Sequence, residues 1–487
     1  MRLKIVGPPG TGKTTAVLQK VKEYAERQDI ERICACTFTV SAKDEMKERV
    51  QKLLPRALHW KVKCSTIHSL AFDHVGAKRH FMVNSLSEFA KDQGERSLIV
   101  NDRIPMNAKT PLEQAIAHYH ITRTQMNTGK LKLPTNMTQG LYQQYVDAFE
   151  KFKAARKMYD YTDVLMTYLD EGEPLDFQIA IIDEAQDLSM LQMAVTNKMF
   201  QNAVDTIAAG DDDQTIYAFA GVRASDFQDW ECDRMEVLEK SHRFGVSVLD
   251  YSQHVLNRMI KRIPKTYLPS DRKSTVSISN SINAETDLFP YESCAILHRN
   301  GYLVKKTRQM LDTLNVTYSG KGSPFSFQKV MKAIRFWEEW RSGKQMYGNQ
   351  VHCIAEFLPD SVEMDRMEDK GRKSMAPPCP FPLMPWYQLL EVPNPEIYMG
   401  VQRKYGLKYL LAPPKIEVTT IHQAKGGEWD KVIICPDVST ATWKELQFGV
   451  DKDAEHRVWY VAITRAKFDL QILRPKTPKF YPLMEDL

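Results

Sequence analysis

Short apolar runs, each closed by glycine, proline or charged residues, recur along this chain with amphipathic helical stretches between them. "RLKIV", "RICACTF", "QIAIIDE" and "DTIAAGD" have the texture of buried strands, and Val17, Val21, Tyr24 and Ala25 form a helical stripe between the first two. A second set, "SCAILHR", "KVIIC" and "DLQIL", lies beyond residue 290. Nearly continuous apolar strands alternating with helices predict parallel α/β sheets, hence two sheet domains.

Between residues 73 and 154 the strand pattern gives way to helices. "QGLYQQYVDAFEKFKAAR" sets Leu141, Tyr145, Phe149 and Phe152 on one face, which predicts a helical insertion. From 346 to 414 the texture changes again, to mixed charges followed by seven prolines between Pro377 and Pro395. Proline removes ladder donors and fixes φ, so this stretch is no sheet core. The predicted organisation is a first domain over 1–74 and 155–234 with a helical insertion at 75–154. A second domain follows over 235–345 and 415–487, with a small Pro-rich insertion at 346–414.

Composition narrows this little further. With 43% hydrophobic and 26% charged residues, the 487-residue chain resembles ordinary globular proteins. No run of about 18 apolar residues occurs, and Arg2 and Lys4 interrupt the first apolar stretch, so neither a membrane span nor a secretory signal is expected and a cytoplasmic location is. The eight cysteines lack paired C-x-x-C spacing and read as reduced packing thiols. A net charge of +5, from 66 basic and 61 acidic residues, is too small to establish nucleic-acid binding. That inference needs motifs.

"GPPGTGKT", Gly7 to Thr14, fits the phosphate-loop pattern G-x-x-x-x-G-K-[ST] and stands between a predicted strand and a predicted helix. In such a loop Gly7, Gly10, Thr11 and Gly12 let backbone amides face phosphate oxygens. Lys13 reaches the terminal phosphates and Thr14 offers a hydroxyl to magnesium. "IAIIDEAQD" adds a strand ending in Asp183, placed for the metal, and Glu184, placed to accept a proton from water. Taken alone, these two motifs say only a phosphate-loop NTPase using Mg2+; ATP as the nucleotide comes with the resemblance that the later motifs carry.

Further motifs follow in order: "TFTVSAKDEM", "TIHSLAF", "GDDDQTIYAFAG", "LEKSHRF", "TTIHQAKGGEWDKVII" and "WYVAITRAK". Together they resemble the motif set of superfamily one helicases of the UvrD/Rep/PcrA type, over nearly the whole chain. Ala424, Lys425 and Gly426 stand where the RecD-like sister group usually carries serine–glutamine–glycine, which favours the UvrD-like branch. The resemblance implies two RecA-like domains with nucleotide between them, and arginines, here Arg243 and Arg465, reaching the terminal phosphate from the second domain. Gln214 matches the residue that senses that phosphate, and Glu428 a contact to the nucleotide sugar. Phe38, Thr39, Thr66, His68, Tyr217, Phe219 and His422 match positions that touch a single DNA strand, by stacking or by polar contact. The basic run Lys151, Lys153, Arg156 and Lys157 is a candidate edge toward duplex.

The expected activity is an ATP-dependent 3′-5′ single-stranded DNA translocase and helicase acting, as a monomer, on single strands and single-strand/duplex junctions in repair or replication. The competing readings are a translocase that strips proteins from DNA while unwinding little, and a slow-turnover, nucleotide-gated DNA-binding adaptor. Four departures from the family pattern stand out. Relatives carry an adenine-binding glutamine upstream of the phosphate loop, where nothing precedes Met1. Thr15 replaces an arginine, His242 an adenine-stacking tyrosine, and Phe219-Ala220 a tryptophan–arginine pair. The first three predict weakened adenine selectivity around an intact phosphate site. The small second insertion and the absence of a nuclease-like segment after Arg465 suggest a pared-down form without cleavage activity, a build that would suit a virus-encoded enzyme.

Overall fold

The computed structural model describes residues 1–75, 86–94, 110–126, 133–134, 137–359, 379–449 and 451–486. The chain divides into two compact units, Met1–Arg272 with Val450–Tyr460, and Lys273–Gly449 with Val461–Leu487. Residues 235–272, which the sequence reading joins to the second domain, group with the first unit.

Unit 1 holds strands β1 (Arg2–Val6), β2 (Ile33–Thr37), β3 (Val62–Thr66), β4 (Ile179–Ile182), β5 (Asp205–Gly210) and β6 (Arg234–Val237). They form one parallel sheet in the order β3-β2-β4-β5-β1-β6. Side chains alternate across it. Ile5, Ile33, Ile181 and Ile207 enter one core, while Cys36, Ala180, Ile182 and Ala208 enter the other. The helix Lys13–Ala25 covers the first face with Val17, Val21 and Ala25, all fully buried. Because β4, β5 and β1 are parallel neighbours, the loops leaving them emerge side by side at one sheet edge. That edge is where the candidate chemistry gathers.

The described helices of the inserted segment have a small core of their own, with Phe89, Leu112, Ile116, Phe149 and Phe152 buried and Tyr145 packed against them. Helix Gln139–Arg156 removes one residue, Lys153, from the candidate basic edge. Lys153 is 3% exposed, with its ammonium 2.8 Å from Asp160 and 2.7 Å from Asp163. Arg156 pairs with Asp92 at 2.8 Å and lies over the Phe152 ring. A buried ammonium needs counter-charges, and Lys153 already has its own, while Lys151, Arg156 and Lys157 stay exposed.

Unit 2 holds β7 (Thr275–Ser279), β8 (Cys294–His298), β9 (Ile416–Thr420), β10 (Trp429–Cys435) and β11 (Ala466–Leu473), all parallel, in the order β7-β11-β10-β8-β9. The Pro-rich insertion forms no strand among its described residues. Its Trp386, Tyr398, Val401 and Leu410 share one core with Ile296, Ile433 and Leu473 of the sheet. The charged run at 363–373 lies outside the described residues. Among the described residues no helix is long and apolar enough to cross a membrane.

Candidate nucleotide and strand site

The loop after β1 turns on two glycines in left-handed backbone, Gly10 at φ +78° and Gly12 at φ +80°, and Gly12 starts the helix Lys13–Ala25. Thr11 Oγ1 donates to Pro8 O at 2.9 Å and ties the turn across. Lys13 is 9% exposed, and its Nζ donates to Gly7 O at 2.8 Å and Pro8 O at 3.2 Å. Burial lowers its pKa below the usual lysine range, against the pull of Asp211, Glu184 and Asp183. An anion in this cradle would find a desolvated ammonium ready for a counter-charge.

At the end of β4, Asp183 and Glu184 diverge. Thr14 Oγ1 donates to Asp183 Oδ2 at 2.9 Å, and burial, with the Glu184 charge second, raises Asp183 to about 6. A hydroxyl beside a carboxylate that is costly to ionise alone is an oxygen donor set suited to magnesium. Glu184 adopts left-handed backbone (φ +55°), uncommon for a residue with a side chain and a form of strain that collects at functional sites. Its carboxylate meets Gln186, whose Nε2 donates to Glu184 Oε2 at 2.5 Å. The other end of the same amide accepts from Asp211 N at 3.0 Å. Asp211 Oδ2 in turn accepts from Gln214 Nε2 at 2.8 Å. The loops after β4 and β5 are thereby linked, with Glu184 at one end and Gln214 at the other.

Gln186 was not singled out from sequence. The only signal was a carboxamide two residues beyond an acidic pair, a spacing with no distinct pattern of its own.

Segment 241–243 rests on the phosphate loop within unit 1. His242 N donates to Gly10 O at 2.8 Å and Ser241 Oγ to Pro9 O at 2.9 Å. A Cβ on Gly10 would stand 2.5 Å from Arg243 Cβ and 2.8 Å from Ser241 Oγ, in a backbone region that already disfavours side chains. We therefore expect Gly10→Ala to lower stability by about 1–3 kcal/mol in thermal melts and to weaken nucleotide binding at least about tenfold by titration. Arg243 is half-buried, while Thr15 and His242 are exposed.

The candidate strand-binding residues of unit 1 fall into two groups. Phe38, Tyr217 and Phe219 form a half-buried run of rings, with centroids 5.8 Å apart for the first pair and 5.9 Å for the second. Thr39 and Thr66 serve their own backbones: Ala42 N donates to Thr39 Oγ1 and Ser69 N to Thr66 Oγ1, each at a helix start. His68 meets the Tyr161 ring edge-on at 5.7 Å, and burial lowers its pKa to about 4, so it is neutral at pH 7. In unit 2, His422 is half-buried in the turn after β9, and exposed Glu428 pairs with Lys467 at 3.4 Å. Arg465 is 1% exposed, its guanidinium donating to Val461 O at 3.0 Å and Gly427 O at 3.2 Å.

Two family descriptions match the chain: the UvrD/REP helicase N-terminal domain over residues 1–234, and the UvrD-like helicase C-terminal domain over residues 327–476. The ATP-dependent DNA helicase PcrA of Leuconostoc citreum is 23% identical over 364 residues, covering 66% of this chain and 48% of that protein. F-box DNA helicase protein 1 of Schizosaccharomyces pombe is 24% identical over 522 aligned positions, covering 99% of this chain and 56% of that one. ATP-dependent DNA helicase srs2 of the same yeast is 22% identical over 370 residues, covering 65% and 42%. The chain spans about half the length of the curated relatives it matches.

Proposed function

Because the chain belongs to the UvrD/REP helicase family, we propose that it hydrolyses ATP to drive 3′-5′ movement along single-stranded DNA and the unwinding of duplex ahead. The observation that carries this reading is the linked set at the edge of the first sheet: phosphate loop, Asp183 beside Thr14, and Glu184 joined through Gln186 and Asp211 to Gln214. Amides at Gly10 and Gly12 and the ammonium of Lys13 take the phosphates. Thr14 and Asp183 would hold magnesium, which would offset charge on the phosphate oxygens. Glu184 accepts a proton from the attacking water, Gln214 orients that water, and Arg243, seated on the loop, offsets the charge that develops in phosphoryl transfer. Arg465 and Glu428 enter the reading through the family resemblance.

The rings of Phe38, Tyr217 and Phe219 supply faces on which successive bases stack, a mode indifferent to sequence and suited to a motor that must pass any base. Strand displacement from duplexes with a 3′ or a 5′ overhang tests activity and direction together. We expect ATP-dependent displacement from the 3′ overhang alone. Displacement only from the 5′ overhang refutes the direction, and hydrolysis indifferent to single strands refutes the motor.

A further inference from the structure

One buried cation in unit 1 has no part in the chemistry above. The Lys265 side chain has no exposed surface, and its Nζ lies 2.7 Å from Asp211 Oδ1, 2.8 Å from Asp213 Oδ2 and against Asp212 Oδ1. The three aspartates follow β5 in sequence and are wholly buried. Three carboxylates packed together repel one another, and a single ammonium with three donors reaches all of them. Their oxygens lie close enough to hold a metal ion, but the ammonium already takes that centre.

The segment carrying Lys265 is fastened along its length. Arg262 forks onto Asp213 at 3.1 and 2.7 Å, Ile263 N donates to Asp212 Oδ2 at 2.8 Å, and Leu268 N donates to Glu239 O at 3.0 Å. Arg457, from the helical stretch that unit 1 receives late in the chain, donates to Asp212 O at 3.0 Å and Lys261 O at 2.6 Å. The ammonium is thus placed by its surroundings, not by its own flexible stem.

Asp211 has two faces. One oxygen meets Lys265 at 2.7 Å and accepts more distantly from Asp213 N at 3.3 Å, and the other accepts from Gln214 Nε2, while its backbone N–H donates to Gln186, the partner of Glu184. We propose that Lys265 is a positioning residue for nucleotide hydrolysis: by fixing the Asp211 carboxylate it holds the Gln214 amide in the orientation that hydrolysis requires. This rests on the reading of Gln214 as the group that orients water at the terminal phosphate. Burial pushes the Asp211 carboxyl up and the Lys265 charge opposes that most strongly, so loss of the ammonium removes the main counter-charge of a carboxylate then held on that side only by the Asp213 N–H at 3.3 Å.

The test uses the full chain and four proteins: unsubstituted, Lys265→Met, Gln214→Ala and the double variant. DNA-stimulated ATP hydrolysis gives kcat and KM, a fluorescent ATP analogue gives nucleotide affinity, and melting reports folding. We expect Lys265→Met to lower kcat about 10–100-fold with nucleotide affinity within about twofold, and to cost little more when Gln214 is already alanine. Unchanged kcat in Lys265→Met, or losses that simply multiply in the double variant, overturn the proposal while leaving the Gln214 reading in place. Unchanged kcat in Gln214→Ala overturns both. If Lys265→Met does not fold, Asp211→Asn, which keeps Lys265 paired with Asp212 and Asp213, carries the same expectations and the same overturning results.

Discussion

A Glu184→Gln substitution is expected to lower strand-stimulated ATP hydrolysis about 10²–10⁴-fold while leaving nucleotide binding intact. The amide keeps the size of the carboxylate and an oxygen to accept from Gln186 Nε2, so the link to Asp211 and Gln214 survives. The left-handed backbone at this position is no harder for glutamine than for glutamate. Lys13, Thr14 and Asp183 are untouched, so the phosphates still have their cradle. What is lost is the ability to take a proton from water. Steady-state turnover with and without a single strand, beside an equilibrium titration of nucleotide, separates the two effects. Unchanged turnover would refute the assignment of Glu184 as the base.

Arg243→Ala is expected to lower kcat about 10³-fold, the scale on which a guanidinium acts at a phosphoryl transition state. The seat of the residue does not depend on its side chain. The bonds His242 N to Gly10 O and Ser241 Oγ to Pro9 O remain when the side chain is cut back. A fall in kcat and kcat/KM together, at unchanged nucleotide affinity, marks an interaction made only in the transition state. Arg243→Lys should recover only part of the loss, because an ammonium keeps the charge without the planar fork. A variant that binds nucleotide poorly yet turns over normally would move Arg243 from transition-state stabilisation to ground-state binding.

The seven strands legible in the sequence are the seven interior ones. β2 and β8 are buried at every position, so their apolar runs are unbroken. Among the described residues, the four strands that escape notice, β3, β6, β7 and β9, are the four sheet edges. β6, "RMEV", buries none of its residues fully, and β7, "TVSIS", is serine-rich, because an edge has one side to hide and one to keep wet.

The site divides in a similar way. The phosphate loop and the Asp183-Glu184 pair could be found because phosphate chemistry imposes residue types at fixed spacing along one stretch of chain. Gln186 and Lys265 act by meeting groups from other loops, and Lys265 in "KRIPKTYLPSDRK" looks like any surface lysine. Lys153 misleads for the converse reason: its run of cations looks solvent-facing, yet Asp160 and Asp163 come seven and ten residues later to bury it.

The strand order of the second sheet also sets a waiting time during synthesis. Among the described residues β7 pairs with β11 alone, and Thr275 bonds Asp469 across 194 residues of sequence. At about 5–20 residues per second, a ribosome takes about 10–40 s to deliver that partner. For that interval the nascent chain carries an unpaired β-segment, a template to which other chains can add. Serine and threonine at Thr275, Ser277 and Ser279 make it a poor template, so the polar edge that hid this strand from sequence analysis also lets it wait in solution.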